Sequence, residues 1–219
     1  TQSIPVIMSV DGDPVASGLV ASLARPGANV TGTSTLFEEL VPKHLELLKT
    51  ALPKMHNVAI LVNPDSLASP YFSGKFEEAA RLIGIKIVRA EARAPADFER
   101  TFAGMKKQRV DAFAVLTEAF MAGQIQRIVT LANVYKLPGI YGFREFAEAG
   151  GLMSYGLSFR DYYKGLARYL DKVLKGTKPA DLPVEQPMRI EFTVNKTTAK
   201  MLGITLPGQL LVRAERVIE

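Results

Sequence analysis

Apolar residues recur along this chain in two alternating rhythms, and the alternation predicts the architecture. Ile4–Val10 (IPVIMSV) and Val58–Val62 (VAILV) are apolar at nearly every position, as expected of parallel strands covered on both faces. Ile85–Ala90 and Ala112–Leu116 read as further strands, and Asn29–Ser34 (NVTGTS) as a short one whose inner glycine marks a bend or a close backbone approach. Between them the spacing becomes helical. Val15, Leu19, Val20 and Leu23 predict a helix over Val15–Ala24, entered through the turn Asp11-Gly12-Asp13 and Pro14 and stopped by Pro26-Gly27. Helices are likewise predicted over Phe37–Ala51, Tyr71–Ile83, Ala96–Lys107 and Ala119–Tyr135. Strands alternating with helices through short links signal βαβ units and a parallel sheet.

The stretch Pro138–Gly165 concentrates the chain's strand ends, aromatics and glycines. Two apolar runs, Pro138–Tyr141 and Leu152–Tyr155, each stop at a glycine, with a short helix over Phe143–Ala149 between them and an amphipathic helix over Arg160–Lys175 beyond. Ligands in open α/β sheets sit beyond the carboxyl ends of the strands. Tyr141, Phe143, Tyr155 and Phe159 therefore either wall a cleft or cap a core. Thr177–Pro187, with three prolines in eleven residues, reads as an extended connector. Arg189–Val194 (RIEFTV) alternates and predicts a half-exposed strand, Asn195 caps a helix over Lys196–Leu202, and Val217-Ile218 adds an edge strand.

With 219 residues, 47% of them apolar, the chain has material for one large domain or two small ones. No run approaches the about 18 apolar residues of a membrane span, and the opening TQSIPV has neither the basic start nor the apolar core of a leader peptide. A soluble globular protein is expected. The absence of cysteine excludes disulfides, thiolate zinc sites and a cysteine nucleophile. The net charge is +5, and its densest basic run, Lys106, Lys107 and Arg109, falls at a helix end, where cations complement the dipole. Without an aromatic-interleaved basic strip or a helix-turn-helix pattern, nucleic acid is not an expected partner.

Catalysis is not expected either. His44 and His56 match no metal signature and read as surface residues. No nucleophile elbow, Walker loop or dinucleotide fingerprint is present, and Glu145 and Glu148 lack a partner that would make one an acid and the other a base. No catalytic residue, cofactor or metal is assigned.

Several spaced motifs carry a resemblance that runs from Ile4 to Glu219. PVIMSVDGDPVASGLVASLARPGANVTGTS, NVAILVNPDS, PGIYGFREFAEAGGLMSYG and KGTKPADLPVEQPMRIEFTVNKTTAKMLGITLP, in that order, resemble the ABC transporter substrate-binding protein family that includes tryptophan- and phenylalanine-type binders. The resemblance implies an α/β fold of the type I periplasmic-binding-protein class, with two lobes of parallel-sheet βαβ units joined by hinge crossovers. Residues 1–33 and 158–182 would form part of the first lobe, and 34–157 with 183–219 a complete second lobe. The crossovers would be Thr31–Thr35, Gly156–Phe159 and Leu182–Pro187. Family members carry further residues ahead of the first motif, which supply most of the first lobe's sheet and which this sequence lacks. An all-apolar strand such as Ile4–Val10 then keeps unpaired edges, so the chain alone is expected to self-associate through residues 4–10 or to keep a poorly ordered first lobe.

The function so implied is the substrate-binding component of an ABC importer, periplasmic or otherwise extracytoplasmic. It would capture a small organic solute, an amino acid or aromatic compound, between two lobes and present it to a membrane permease. A ligand-sensing effector domain of a regulator or receptor on the same fold is the alternative, decided by whether a leader peptide or a DNA-binding segment lies upstream. An amino-acid ligand needs N–H groups or hydroxyls for its carboxylate, a carboxylate for its ammonium and apolar walls for its ring. Strand ends supply the candidates. Asp13 either meets an ammonium or caps the helix at Pro14. Asn63 either faces ligand or makes a structural Asn-Pro turn, and Thr117 with Glu118 offers either a cleft carboxylate or a first-turn helix charge. Tyr141, Gly142 and Phe143 end the next strand, where Gly142 would let backbone approach ligand. Ser154 and Tyr155 stand where the chain leaves the second lobe. The aromatics either touch ligand or pack the hinge.

Overall fold

The computed structural model describes residues 3–11, 13–35, 37–66, 68–186 and 189–219. Gly12 of the first expected turn, Leu36, and Pro187 at the end of the third expected crossover lie outside them. The chain divides into two compact units, Thr1–Phe37 with Leu157–Ile190 and Glu38–Gly156 with Glu191–Glu219. Relative to the boundaries expected from the resemblance, the first unit extends to Phe37 and Ile190.

The first unit starts with β1 (Val6–Asp11), which runs parallel to β2 (Val30–Thr35) with Val6 opposite Val30. Gly32 sits at φ +139°, and a Cβ there would meet the Met8 carbonyl oxygen at 2.1 Å, so only glycine keeps these strands paired. The helix expected over Val15–Ala24 does not form. Asp13 Oδ1 accepts from the Val15 and Ala16 amides at 2.8 and 3.1 Å and starts a single turn, which Gly18 at φ +73° closes. The turn ends before the helical spacing of Leu19 and Leu23 can act. Val15 and Leu19 stay 39% and 43% exposed.

One 3-10 turn, Phe37–Leu40, starts on the last residue of the first unit's opening segment and leads into α1 (Val41–Ala51) of the second, with Pro42 in the first turn where its missing N–H costs nothing. Then come β3 (Asn57–Val62), α2 (Ser69–Leu82), β4 (Lys86–Glu91), α3 (Phe98–Lys107) and β5 (Ala112–Val115). The expected long helix over Ala119–Tyr135 is two, α4 (Ala119–Ala122) and α5 (Ile125–Val134), parted at Gly123-Gln124, where glycine weakens the helix and Gln124 leaves helical dihedrals. After them come β6 (Gly139–Phe143), α6 (Arg144–Glu148) and β7 (Met153–Leu157). The chain then returns to the first unit as α7 (Phe159–Leu174), capped by Ser158, whose Oγ accepts from the Asp161 amide. The Tyr169 hydroxyl of α7 donates to the Pro183 carbonyl, and Met8, Val20 and Val184 form that unit's small core.

The second unit is completed by β8 (Glu191–Asn195), α8 (Lys196–Met201), α9 (Gly208–Arg213) and β9 (Arg216–Ile218). Its sheet has the order β4-β3-β5-β6-β7-β8-β9; β3 is parallel to β4 and β5, β5 to β6 and β8 to β9, while β7 and β8 are antiparallel. One face packs Val58, Ile60, Ala114, Ile140, Met153 and Val194 under α1, α2, α8 and α9. The other face presents Phe113 to Phe102 of α3 and to Tyr141, at 5.3 and 5.7 Å between ring centres. Burial of both faces explains why these strands are apolar throughout.

β8 corrects the expectation of a half-exposed strand, for all five of its residues are buried. Phe192 and Val194 join the core, and the alternate polar side chains are covered by helices. Glu191 pairs with Arg144 at 3.0 Å, and Asn195 donates to the Ala147 carbonyl while accepting from the Thr198 amide to cap α8. The alternation marked a covered polar face, not a wet one.

Candidate functional site

The parallel strands β3, β5 and β6 end on one edge of the second unit's sheet. β7 ends there too, because Gly156 lies against Gly142, where a Cβ would meet the Gly142 carbonyl oxygen at 1.8 Å. Asn63 and Ser66 beyond β3, Thr117 and Glu118 beyond β5, Phe143 and Arg144 at the end of β6, and Tyr155 near the end of β7 therefore line one edge.

Glu118 is the chemical centre of that edge. Burial pushes its carboxyl above the usual range, and hydrogen bonds from Ser66 and Asn63 pull only part of the way back. Asn63 Oδ1 accepts from the Asp65 amide at 3.1 Å, which turns the Asn63 amide nitrogen to the carboxylate. The Glu118 Oε1 atom is shut from solvent without a hydrogen-bond partner. Beside it, Thr117 is buried, and its Oγ1 also lacks a partner.

The other expected positions differ in burial and in what they pack against. A Cβ on Gly142 would meet Thr117 Oγ1 at 2.1 Å, so the glycine expected to admit ligand backbone makes room for Thr117. The Tyr141 ring is wholly buried in the core, stacked on Phe146 at 4.6 Å and edge-on to Phe113, and its hydroxyl has no partner. Desolvation drives that hydroxyl's pKa strongly upward. Phe143 is buried and stands at the N-cap of α6. Ser154 is buried opposite Thr193, and both hydroxyls lack partners. Tyr155 is half-buried, with its ring edge-on to His44 at 6.1 Å and 6.5 Å from Phe192. In the first unit, Asp13 is exposed and spends Oδ1 on its turn.

His44 corrects the surface reading, being only 1% exposed. Its Nε2 donates to the Tyr155 carbonyl at 2.7 Å, and burial pushes its pKa down to about 4 against the smaller lift from that bond. His56 is exposed. Residue-by-residue reading also passed over Ser66 and Arg144. Arg144 Nη1 reaches Glu191 at 3.0 Å and Nε reaches Glu148 at 3.2 Å. The strand-end rule that selected Asn63 and Phe143 would have found both had it been carried four residues beyond β3 and one beyond β6.

An α/β sheet whose strands end in a carboxylate held by neighbouring amide and hydroxyl groups, on a type I periplasmic-binding-protein fold, defines a ligand-binding domain. The chain belongs to the ABC transporter substrate-binding protein family, whose model matches residues 1–218. It is 27% identical over 204 residues to a tyrosine-binding protein of Clostridioides difficile (strain R20291), covering 93% of this chain and 58% of that relative's length. Among solved structures, it is similar to an ABC domain in complex with L-Trp from Streptococcus pneumoniae, at 30% identity and a TM-score of 0.85 over all of this chain and 75% of the other. A Vibrio cholerae O1 biovar El Tor protein matches at 32% identity and a TM-score of 0.87 over 99% of this chain and 72% of its own. The family is one of solute-binding proteins. Among the described residues, no helix is long and apolar enough to cross a membrane.

Proposed function

We propose that this chain is the substrate-binding component of an ABC importer, working outside the cytoplasm with a membrane permease. It takes a small organic solute, an amino acid or related aromatic compound, by closure of two lobes about the three crossovers. Ligand contacts to both lobes favour the closed form, a population shift that breaks no bond. The observation that carries the reading is the bare Oε1 of Glu118 on a carboxylate already oriented by Asn63 and Ser66. Such a group can accept charge-assisted hydrogen bonds from an ammonium. Family membership and the tyrosine-binding and L-Trp-bound relatives support an amino acid as the ligand. Asn63, Thr117, Glu118, Ser154 and Tyr155 are the contacts proposed on the second unit.

A thermal-shift screen of the intact protein with amino acids, aromatic acids and small sugars tests this directly, because a ligand of the native state raises its melting temperature. No shift from any amino acid would overturn the reading. Glu118→Gln is expected to weaken binding at pH 7 by about 10- to 100-fold, the worth of one hydrogen bond to a charged group. Tyr155→Ala is expected to cost about tenfold through lost aromatic contact. Calorimetric titration that finds both affinities unchanged places the site elsewhere.

The same carboxyl gives a stability signature. Its pKa is raised in the folded state, so its contribution favours folding at low pH and is lost as pH rises through the folded value. Glu118→Gln in the ligand-free protein is therefore expected to raise the melting temperature at pH 8 and to leave it unchanged well below the ordinary glutamate range.

The first unit carries the proposal of self-association. Among the described residues, β1 is paired only with β2, and Ile4 and Val6 remain exposed. Sedimentation of the 219-residue chain is expected to show concentration-dependent association, and a monodisperse monomer with strongly protected amides over residues 4–10 would overturn it.

A further inference from the structure

His44 is buried on α1 among the core residues of that helix. A carbonyl can only accept, so the 2.7 Å contact with Tyr155 fixes the imidazole as the neutral tautomer carrying its proton on Nε2. Nδ1 is then a bare acceptor, shut from solvent without a partner. The Asn195 amide donates to the Leu152 carbonyl, which puts the hydrogen-bonded pairs of β7 and β8 at residues 152, 154 and 156 of β7. The Tyr155 carbonyl therefore turns away from β8, toward the β6 side, and accepts from His44 Nε2. The same imidazole meets the Tyr155 ring edge-on, and that ring leans on Phe192. Both the main chain and the ring of Tyr155 are held at the residue before Gly156, where the second unit ends.

We infer that His44 is a positioning residue, which locks Tyr155 and the end of β7 in place only while its imidazole is uncharged. A second proton would have to sit on Nδ1, where, among the described residues, the buried site offers no acceptor and no compensating carboxylate. Tyr155 is the titratable side chain in contact with the ring, and desolvation and the Tyr155 carbonyl are what act on it. A released imidazole takes a proton at its ordinary value of 6.5 and the locked one at about 4. Acid therefore favours release. Between pH 8 and pH 5 the equilibrium for opening this contact shifts by about 30-fold.

The deciding experiment is hydrogen exchange read by mass spectrometry over residues 153–157 at pH 8 and pH 5, corrected for intrinsic exchange, in the wild type, His44→Gln and His44→Phe. The wild type is expected to lose protection about 30-fold on acidification. His44→Gln, which keeps an N–H donor and does not titrate, is expected to lose little, and His44→Phe to be weakly protected at both pH values. Equal loss over β3, or the same acid response in His44→Gln, would overturn the inference. A second arm rests on the ligand reading above. With L-tyrosine and L-tryptophan as probes at pH 5, His44→Gln is expected to bind more tightly than the wild type, and equal or weaker binding counts against the lock. Failure of both amino acids to bind any form counts against the ligand reading, while the exchange result still decides the role of His44.

Discussion

Tyr141→Ala is expected to lower the stability of this chain by about 3–5 kcal/mol, the cost of emptying a large buried aromatic site, whereas Tyr141→Phe is expected to be neutral or stabilising. The ring is wholly buried, stacked on Phe146 and edge-on to Phe113. Gly139 and Gly151 make room for it, since a Cβ on either would meet Tyr141 atoms at 2.7 and 2.5 Å. Truncation would leave a cavity with rigid walls on both sides. Removing the hydroxyl is different, because Oη is buried without a partner and its desolvation is uncompensated. Urea denaturation of the two variants measures both effects. Ligand affinity in Tyr141→Phe supplies a second check: unchanged affinity assigns Tyr141 to packing, and a loss of more than tenfold would return it to the ligand edge.

Gly156→Ala is expected to cost about 3 kcal/mol or more, at the upper end of overpacking penalties. The added Cβ would lie 1.8 Å from the Gly142 carbonyl oxygen and 2.6 Å from its carbonyl carbon. Both contacts are backbone, so no rotamer change relieves them, and the ends of β6 and β7 must part. Gly142→Ala offers the control. The three atoms nearest its Cβ all belong to the Thr117 side chain, at 2.1 Å for Oγ1 and 3.0 Å for Cβ and Cγ2. The double variant Gly142→Ala with Thr117→Ala is therefore expected to recover part of the loss, and no side-chain truncation is expected to rescue Gly156→Ala. Comparable stability of Gly156→Ala and wild type in denaturant melts would show that the strand ends are not in close contact.

Much of the fold was legible because periodicity reports directly on which faces a segment buries. VAILV became β3 and Ala112–Leu116 became β5, both covered on two faces, and Asn195 caps α8 as its position before Lys196 foretold. Glycine within NVTGTS announced a close approach that Gly32 makes to Met8. The strand-end rule reached Asn63 and Glu118, which hydrogen-bond to each other. It also selected Tyr141, whose side chain turns into the core, because a strand's alternate residues point to opposite faces.

Alternation of apolar and polar residues along the chain determined the α/β class, the order of the elements and the edge on which polar groups gather. Tertiary structure alone decided that the polar face of β8 is covered, that His44 is buried against Tyr155, that the turn after Asp13 stops at Gly18, and that Gly142 and Gly156 touch. The physical reason is that a hydrophobic period records which side chains avoid water. It does not record which neighbour covers a polar one, and the pairing of Arg144 with Glu191 or of His44 with the Tyr155 carbonyl spans tens of residues of sequence.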